Sequence, residues 1–397
     1  MELKGTNQEY GRPYNRRIVL ETIRLQGPIA RGEIAKRVGL TVQTVSTITR
    51  ELEEQGFLLG AREVRKLRGY PPTTLTINPD GGYAVGVHLS PRWVDVALIN
   101  LRGEIVRRFH RKLPRISPKT VLGVIADLVE RVAKPQPGGR KLGRMLGVGL
   151  AMPGPFDVES MSFIGPTTLE GWRGVPIREH LAAMAGLPIF IESDHASAAL
   201  GERLYGVGRK VRDFYYIYFG VGLGGRMVQD GAIVRGGYGN AGEIGHLPLV
   251  PDGEPCPCGN VGCLERYLSC EAMERRAADI GLDGWIAEAA PLLRRAIAVT
   301  ENLFDPQTIV IGGIVPPDIL SRLLAAAEPL LHSVAERAAR ELPRVMRSPS
   351  GEDAVLRGAA SLAVSGALSP RFGLMFAGDD EPKLDLANAR AKAESRA

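Results

Sequence analysis

The stretch GEIGHLPLVPDGEPCPCGNVGCLE, residues 242–265, contains three of the four cysteines of the chain and one of its six histidines. Cys256, Cys258 and Cys263 lie on a glycine-rich loop, and His246 precedes the first of them by ten residues. Three thiolates and one imidazole can close around a tetrahedral zinc ion. Four protein ligands leave no position for a catalytic water, so the pattern predicts a structural zinc that shapes the loop. Unligated thiols that happen to cluster are the alternative.

The composition is that of a globular protein of two or three domains. Of the 397 residues, 44% are hydrophobic and 24% are charged. No apolar run approaches the roughly 20 residues that cross a bilayer, and the first ten residues lack the apolar region of a secretory signal. We therefore expect a cytoplasmic protein without a membrane partner. Cysteines confined to residues 256–270 argue against a fold held by disulfides.

The N-terminal region shows helical apolar spacing three times within residues 15–58. The residues that mark the three helices are Ile18, Val19, Leu20 and Ile23, then Ile34, Ala35 and Val38, then Val42, Val45, Ile48 and Leu52. Gly39 is suited to end the second helix, and Thr41 is a good N-cap for the third. Two short helices joined by a tight glycine turn predict a helix-turn-helix.

A DNA-binding domain is accordingly predicted for residues 1–80, which hold 13 Lys and Arg against nine Asp and Glu. The third helix is expected to meet base edges and phosphates of double-stranded operator DNA through Thr41, Gln43, Thr44, Ser46, Thr47 and Arg50. The basic run AREVRKLRGYPP, residues 61–72, and the following TTLTI predict a two-stranded wing that carries Arg62, Arg65, Lys66 and Arg68 to the flanking phosphates or the minor groove. A small helical bundle with a solvated basic face is the alternative.

The remainder of the chain shows the same order of elements twice. Three strand-like runs follow Pro79, and then a helical segment and a buried strand MLGVGLA. The runs FYYIYFGVG, GGRMVQDG and AIVRGG repeat this order and precede a helical stretch at roughly 264–303, the buried strand TIVIGG and helices up to about residue 366. We expect two similar α/β halves facing a cleft, residues 81–205 and 206–370, and a polar tail, residues 371–397, that is frayed or a docking extension.

The stretch GEIGH followed by Gly253 and CPCGNVGCLE resembles the signature of the ROK family, which comprises repressors, open reading frames and sugar kinases. PGPFD, ESDHASAALGE and IVIGG resemble its other landmarks in order, so the resemblance covers residues 5 to about 370. It implies an actin-like (ribonuclease H-like) ATPase fold of two α/β halves around a cleft. With its predicted N-terminal winged helix-turn-helix, the chain resembles the repressor branch of the family.

The resemblance also implies a sugar site. Carried over by position, the sugar ligands fall on Gly154, Ser193, Asp194, Glu243, His246 and Glu265, with Ser193 where the family usually has asparagine. Carboxylates accept paired hydrogen bonds from vicinal hydroxyls, and a zinc-bound histidine is a rigid donor. For either glutamate, a surface or capping carboxylate is the alternative.

The features of a kinase are incomplete. In the kinases of the family, Asp194 would deprotonate the sugar hydroxyl, and an Asp-x-Gly-Gly-Thr turn would hold phosphate. Here the turn reads His88-Leu89-Ser90-Pro91-Arg92, without the acid or the glycines, and Pro91 has no N–H to offer. Val221 replaces the usual hydroxyl residue in GVGLGG, whereas Gly312 and Gly313 remain at the adenosine position. The sequence predicts a lost ATP site beside a retained sugar site, and no enzyme activity.

These predictions combine into a transcriptional regulator. A homodimer, or a dimer of dimers, would place two winged helices on a pseudo-palindromic operator. A sugar or sugar derivative would change the closure of the two halves and weaken operator binding, so that repression relieved by sugar is the favoured sign and activation is the alternative. An active sugar kinase with a DNA-binding head is the main rival. A module with a vestigial cleft, controlled by a protein partner, is the third possibility.

Overall fold

The N-terminal helices form the expected helix-turn-helix in a computed structural model, which describes residues 11–62, 73–113, 117–135, 142–154, 169, 171–335 and 339–368. The elements are α1 (Gly11–Gln26), β1 (Ile29–Ala30), α2 (Arg31–Val38), α3 (Val42–Glu54), β2 (Leu58–Arg62) and β3 (Thr73–Ile77). Gly39 ends α2 at φ 67°, a left-handed conformation that glycine adopts readily, and Thr41 caps α3 by accepting a hydrogen bond from the backbone N–H of Thr44. Both predicted caps are confirmed.

The wing is a short antiparallel sheet with the strand order β1-β3-β2. Its two long strands confirm the predicted hairpin. Arg65, Lys66 and Arg68, as well as the side chain of Arg62, lie outside the described residues, and so does the predicted tail at 371–397. Val42 belongs to α3 as predicted, but it is 55% exposed and does not take part in the buried apolar stripe. It is the first residue of α3, where the chain has just left the turn, and the buried stripe begins at Val45.

The first α/β half is a five-stranded sheet with helices. Its elements are β4 (Tyr83–Leu89), β5 (Trp93–Asn100), β6 (Ile105–Lys112), α4 (Pro118–Ala133), β7 (Met145–Met152), α5 (Ile177–Ala185), β8 (Ile189–Ser193) and α6 (Asp194–Tyr205). The strand order is β6-β5-β4-β7-β8, antiparallel from β6 to β4 and parallel from β4 to β8. Strand β4 is buried along its whole length, as expected for a central strand with both faces covered.

The second half repeats this topology. Its elements are β9 (Phe214–Phe219), β10 (Leu223–Gln229), β11 (Ala232–Ile233), α7 (Cys270–Phe304), β12 (Thr308–Gly313), α8 (Pro317–Ala326), β13 (Val345–Arg347) and α9 (Asp353–Leu368). The strand order is β11-β10-β9-β12-β13, again antiparallel on one side and parallel on the other. The same arrangement in both sheets confirms the predicted pair of similar halves.

Two details of the second half differ from the prediction. The long helix begins at Cys270 rather than near residue 264, and it bends at Gly281, whose φ of 74° is not helical. The segment between α8 and α9 is not continuous helix, because β13 pairs in parallel with β12 and extends the sheet. None of the helices in the described part of the chain is long and apolar enough to cross a membrane.

The C-terminal helix α9 crosses from the second half to the first. It packs chiefly against β4, β7 and α6. Gly149 on β7 allows this approach, because a Cβ atom there would lie 1.7 Å from the carbonyl oxygen of Ala359. The boundary predicted after residue 205 coincides with the end of α6, but the segment 206–370 contributes α9 to the first half. Helices α6 and α9 together pack between the two sheets.

The N-terminal elements α1 to β3, here called the head, share one hydrophobic core with the two α/β halves, here called the body. Buried side chains of α1, α2 and α3 form a single cluster with those of β4, β5 and α9, including Leu20, Ile99 and Val364. Glu21 of α1 forms a buried ion pair with Arg203 of α6. The head is therefore packed onto the body.

Candidate effector-binding site and metal cluster

A cavity of about 300 Å³ opens between the two halves. Five of the six predicted sugar ligands line it: Gly154, Asp194, Glu243, His246 and Glu265. Both halves contribute to the wall, because Asp194 follows β8 and the other acids belong to the loops after β10. Ser193 differs from the prediction. It is 4% exposed and caps α6 instead of lining the cavity, and its neighbour His195 lines the wall.

Asp194 is the first residue of α6, where unpaired helix N–H groups favour a negative charge. Its Oδ1 accepts a hydrogen bond from the backbone N–H of His195 at 2.7 Å. Burial acts to raise the pKa of Asp194, but hydrogen bonds from His195 and the charges nearby outweigh it and hold the pKa below its ordinary value. The side chain is thus a carboxylate, the form that accepts hydrogen bonds from hydroxyl groups.

Asp194 is oriented by a buried chain of polar side chains. One guanidinium nitrogen of Arg226 lies 2.7 Å from Nε2 of His195 and 3.3 Å from Oγ of Ser193. Because arginine can only donate, Nε2 of His195 accepts, and the ring proton is carried by Nδ1, which lies 3.4 Å from Oδ1 of Asp194. Arg226 is 1% exposed, so this support is rigid.

Glu243 has unsatisfied hydrogen-bonding capacity at the cavity. Among the described residues, no partner hydrogen-bonds its Oε1, although that atom is buried. The nearest basic nitrogen is Nε2 of His195, at 4.0 Å. A buried carboxylate oxygen without a donor is costly unless a ligand or water supplies one. Glu243 is therefore ready to accept a ligand hydroxyl, which fits the predicted role.

His246 and the three cysteines form a compact cluster beside the cavity. Their ligand atoms all lie within 4.8 Å of one another. Sγ of Cys258 is 3.6 Å from Sγ of Cys263, and Sγ of Cys256 is 3.6 Å from Nδ1 of His246. Tetrahedral bonds of about 2.3 Å to zinc give ligand separations of roughly 3.8 Å. The donor types and spacings thus fit a four-coordinate zinc held by these residues.

The thiols differ in how readily they ionise. Burial acts to raise the pKa of Cys258, but hydrogen bonds from the Asn260 backbone N–H and the neighbouring thiols lower it to about 7. Cys270 is 7% exposed at the start of α7, outside the cluster, which supports the prediction that it is a packing residue. Burial raises the pKa of Cys270 to about 12.

The turn after β4 contains no free row of backbone donors for a phosphate. The N–H of Ser90 donates to the carbonyl of Trp93 at 2.9 Å, and the N–H of Arg92 faces Oγ of Ser90 at 3.4 Å. Pro91 has no N–H. The guanidinium of Arg92 is turned toward Glu274 of α7, 2.5 Å away.

The recognition surface of α3 is partly free and partly engaged. Gln43 and Arg50 are exposed, whereas Thr44, Ser46 and Thr47 are half-buried. The hydroxyl of Thr47 donates to the carbonyl of Gln43 at 3.2 Å, and the hydroxyls of Thr41 and Thr44 lie 2.8 Å apart. Of the residues predicted to contact DNA on α3, Thr41, Gln43 and Arg50 are therefore the exposed ones.

Sequence reasoning missed several residues of the site. Arg226 was not singled out, although a charged residue inside the apolar strand GGRMV is a signal of a buried ionic network. Glu192, which ion-pairs with Arg235 at 2.5 Å, gives the same signal in IFIES. Trp93 and Tyr218 line the cavity, but their strands read simply as apolar, so no local pattern distinguished them from core residues.

Residues 84–365 match the model of the ROK family. The chain belongs to the ROK family. This ROK chain also matches the model of winged helix-turn-helix DNA-binding at residues 13–58, which includes α2 and α3. It is 33% identical over 332 residues to the xylose repressor of Caldicellulosiruptor bescii, a match that covers 75% of this chain and 82% of that protein. It is 28% identical over 377 residues to the DNA-binding transcriptional dual regulator NagC of Escherichia coli, with 86% and 90% covered.

Solved ROK structures show the same architecture. A ROK family transcriptional regulator described as a homolog of the E. coli MLC protein superposes with a TM-score of 0.70 at 25% identity, covering 92% of this chain and 98% of that one. A ROK family glucokinase from Streptomyces griseus, in complex with glucose and AMPPNP, gives a TM-score of 0.60 at 25% identity, with 72% and 100% covered. The regulator covers the head as well as the body, which confirms the predicted winged helix on an actin-like fold.

Proposed function

We propose that this ROK protein is a DNA-binding transcriptional repressor whose operator affinity is lowered by a sugar or sugar derivative bound in the cavity. One observation carries the proposal: α6 begins at Asp194 in the cavity and ends at Arg203 and Tyr205, which contact the DNA-binding head. Relatives named xylose repressor and NagC support it. A ligand that shifts the start of α6 would therefore move a helix whose other end contacts α1 of the head.

The sugar would bind through side chains that accept hydrogen bonds. Asp194, Glu243 and Glu265 offer carboxylate oxygens to its hydroxyl groups, and Gly154 leaves room for the ring. His246 would use Nδ1 toward the zinc and its other ring nitrogen toward the ligand. Since Asp194 and Gly154 belong to one half and the other residues to the second, a bound sugar stabilises a particular closure of the halves.

The operator would be read by α3 in the major groove, with Gln43 and Arg50 at base edges and Thr41, Thr44, Ser46 and Thr47 nearer to phosphates. Arg62, Arg65, Lys66 and Arg68 of the wing would add phosphate or minor-groove contacts. A homodimer, or a dimer of such dimers, would match the two-fold symmetry of a pseudo-palindromic operator. A protein that binds operator DNA would act in the cytoplasm, and we propose this location.

We further propose that the protein is not a sugar kinase. The turn after β4 supports this, because its N–H groups are engaged within the turn or missing at Pro91. Phosphoryl transfer needs a phosphate cradle and a metal-binding carboxylate in addition to the base at Asp194. His88 occupies the position at which the kinases of the family carry the acid, so this requirement is unmet there.

The direct test measures operator affinity with and without sugar. DNA fragments selected on the immobilised protein are used in gel shifts with D-xylose, N-acetylglucosamine, D-glucose and their methyl glycosides. One of these is expected to weaken binding by about 5- to 150-fold, the usual range of coupling between two sites. Asp194→Asn is expected to abolish the sugar response while operator affinity stays within twofold.

Two results would contradict this proposal. A normal sugar response in Asp194→Asn would exclude the assigned role of the carboxylate. ATP consumption that depends on one of the sugars would show a kinase. Arg50→Ala serves as the complementary variant, because it should weaken operator binding and leave sugar binding unchanged.

The zinc site is also a proposal, and it gives a separate prediction. Zinc would be held by His246, Cys256, Cys258 and Cys263, where it would tie the loop after β11 into one shape. Purified protein should contain about one zinc per chain by elemental analysis. Cys258→Ser should lose the metal and lower the melting temperature, whereas Cys270→Ala should keep it. A folded, metal-free wild-type protein that melts at the same temperature as the zinc-loaded one would exclude a structural zinc.

A further inference from the structure

We propose that the effector is an uncharged glycoside: a sugar ring held by the acidic wall of the cavity and joined to a second ring that packs on an aromatic wall beside it. The acidic wall consists of Asp194, Glu243 and Glu265. The aromatic wall consists of His88, Trp93 and Tyr218. The inference rests on the proposed function and specifies the ligand class of the same cavity.

The aromatic wall is continuous and preorganised. The rings of His88 and Trp93 meet edge to face with centroids 4.6 Å apart, and those of His88 and Tyr218 lie 6.3 Å apart. The ring centroids of Trp93 and His110 lie 5.6 Å apart. An indole held by two neighbouring rings can provide an apolar surface without a large loss of side-chain entropy on binding.

The surroundings of this wall are apolar as well. Pro91, Val221 and Ile314 line the same cavity. A sugar ring alone would satisfy the acidic wall and leave these side chains against water. Because both walls line one cavity of about 300 Å³, a single molecule with a polar ring and a less polar ring can contact both.

The charges of the cavity disfavour a phosphorylated ligand. Three carboxylates line it, and the lining residues that the structure describes include neither lysine nor arginine. Arg92, on the adjacent turn, is directed at Glu274. Burial lowers the pKa of His88 to about 4, so this side chain is neutral near pH 7 and offers no positive charge. A phosphate group would therefore be desolvated beside like charges, without a lysine or arginine among the described lining residues to compensate.

The position of the aromatic wall indicates where the second ring is attached. His88 begins the turn that aligns with the phosphate-binding turn of the kinases in the family, and Asp194 aligns with their base. By this resemblance, a sugar oxygen bound to Asp194 would face the aromatic wall of the same cavity. In a glycoside bound with its linkage at this oxygen, the second ring lies where the kinases hold a phosphate group.

Tryptophan fluorescence tests the inference directly on the full-length protein. Trp93 is half-buried at the cavity, whereas Trp172 and Trp285 are fully buried elsewhere. Four ligand sets are titrated. The first is free monosaccharides, the second is their methyl glycosides, the third is sugars with a second ring (disaccharides and aryl glycosides), and the fourth is sugar 6-phosphates. We expect disaccharides or aryl glycosides to change the Trp93 emission and to bind about tenfold more tightly than the matching methyl glycoside, as one aromatic contact provides. The comparison of disaccharides with aryl glycosides shows which kind of second ring is used.

Two variants complete the design. Trp93→Leu is expected to remove the tenfold preference for disaccharides or aryl glycosides over the matching methyl glycoside. Tyr238→Leu, at a residue that is 86% exposed and absent from the cavity wall, is the matched control and should change neither affinity. Operator binding verifies that both variants are folded. If Trp93→Leu does not fold, the emission change and the ligand ranking of the wild-type protein decide.

Several outcomes would overturn the inference. The first is that methyl glycosides bind as tightly as disaccharides and aryl glycosides. The second is that a sugar phosphate binds most tightly of all. The third is that Trp93→Leu keeps the preference for ligands with a second ring. In these cases sugar-dependent release of DNA could still occur, and the proposed function would stand. Failure of every ligand set to bind or to change operator affinity would instead overturn the proposed function, and the inference with it.

Discussion

At the scale of single residues, the site is governed by buried ionisable groups held in one protonation state. Asp194 is kept ionised by its hydrogen bonds to His195, whereas His88 is kept neutral by burial. Asp194 and Asp95 act to raise the pKa of His88, and Arg108 acts to lower it, but desolvation is the largest effect. The pair gives the cavity a negative charge beside a neutral aromatic wall.

His88 should make stability depend on pH. Its folded-state pKa of about 4 lies below the ordinary value of 6.5. Between these values the unfolded chain takes up a proton that the folded protein excludes, so stability is complete above pH 6.5 and is lost as the pH falls toward 4. Each unit of difference corresponds to about 1.4 kcal/mol. We expect His88→Gln to flatten the decline of the melting temperature between pH 6.5 and 4.5.

The control for this experiment is His180→Gln, because His180 lies on the exposed side of α5. It should follow the wild-type curve. The low pKa of Asp194 places its own loss of stabilisation below this window. If the melting temperature of His88→Gln declines with falling pH as steeply as that of the wild-type protein, burial of His88 does not cause the decline.

At the scale of elements, the packing of α9 depends on small residues at its contacts. Glycines on three partners allow backbone to meet backbone: Gly86 on β4, Gly149 on β7 and Gly201 on α6. At each of them an added Cβ atom would lie within 2.2 Å of a carbonyl oxygen of α9. The helix cannot adjust to one contact without disturbing the others, so the first sheet, α6 and α9 form one rigid unit.

A Gly149→Ala variant should be strongly destabilised. The obstructing atom belongs to the backbone of α9 and cannot rotate away, so the loss should reach or exceed the upper end of the usual ~1–3 kcal/mol for overpacking. Gly123→Ala is the matched control, since Gly123 lies within α4 and an added Cβ meets nothing within 4 Å. It should stabilise the protein by roughly 0.5–1 kcal/mol. Calorimetric melting of both variants measures the difference, and equal melting temperatures would contradict the proposed close contact.

At the scale of the whole molecule, α6 is the connection between cavity and head. It carries Asp194 at its first turn and Arg203 and Tyr205 at its last. Arg203 pairs with Glu21, and the guanidinium of Arg24 lies 5.5 Å from the ring centre of Tyr205. Because the head also shares its core with α9, the proposed mechanism would transmit a change in closure of the halves to α1 through packed elements.

Removal of the ion pair should uncouple the two sites. Glu21 and Arg203 are nearly buried, with side chains 7% and 12% exposed. Replacement of both by methionine leaves neither partner of this ion pair buried alone, and such replacements are often neutral for stability. We expect Glu21→Met/Arg203→Met to bind sugar and operator normally, while the effect of sugar on operator affinity falls below about threefold. Gel shifts with and without the active sugar measure this.

The exposed pair Asp127 and Arg131 on α4 provides the control. Its double replacement by Asn and Gln should retain the wild-type sugar response. Full coupling in the Glu21→Met/Arg203→Met variant would show that the signal does not pass through the contact between α6 and α1.

Local sequence patterns alone determined the helix-turn-helix, most strands and the grouping of His246 with the cysteines. The helix-turn-helix was predictable because its caps, Gly39 and Thr41, and its apolar spacing act within a few residues. The strands of both halves and the zinc-type cluster were predictable for the same reason, since a glycine-rich loop keeps His246 and the cysteines close in any fold. Family resemblance added the positions of Asp194, Glu243 and Glu265.

Only the tertiary structure decided the rest. Arg226 and Ser193 meet behind the cavity, Trp93 and Tyr218 form one wall, and α9 returns to the first sheet. These contacts join residues far apart in the chain, and each depends on how two packed elements are oriented. An arginine on a strand has the same local sequence whether it supports a ligand site or faces water, so burial and partners, which exist only in the folded chain, decide its role.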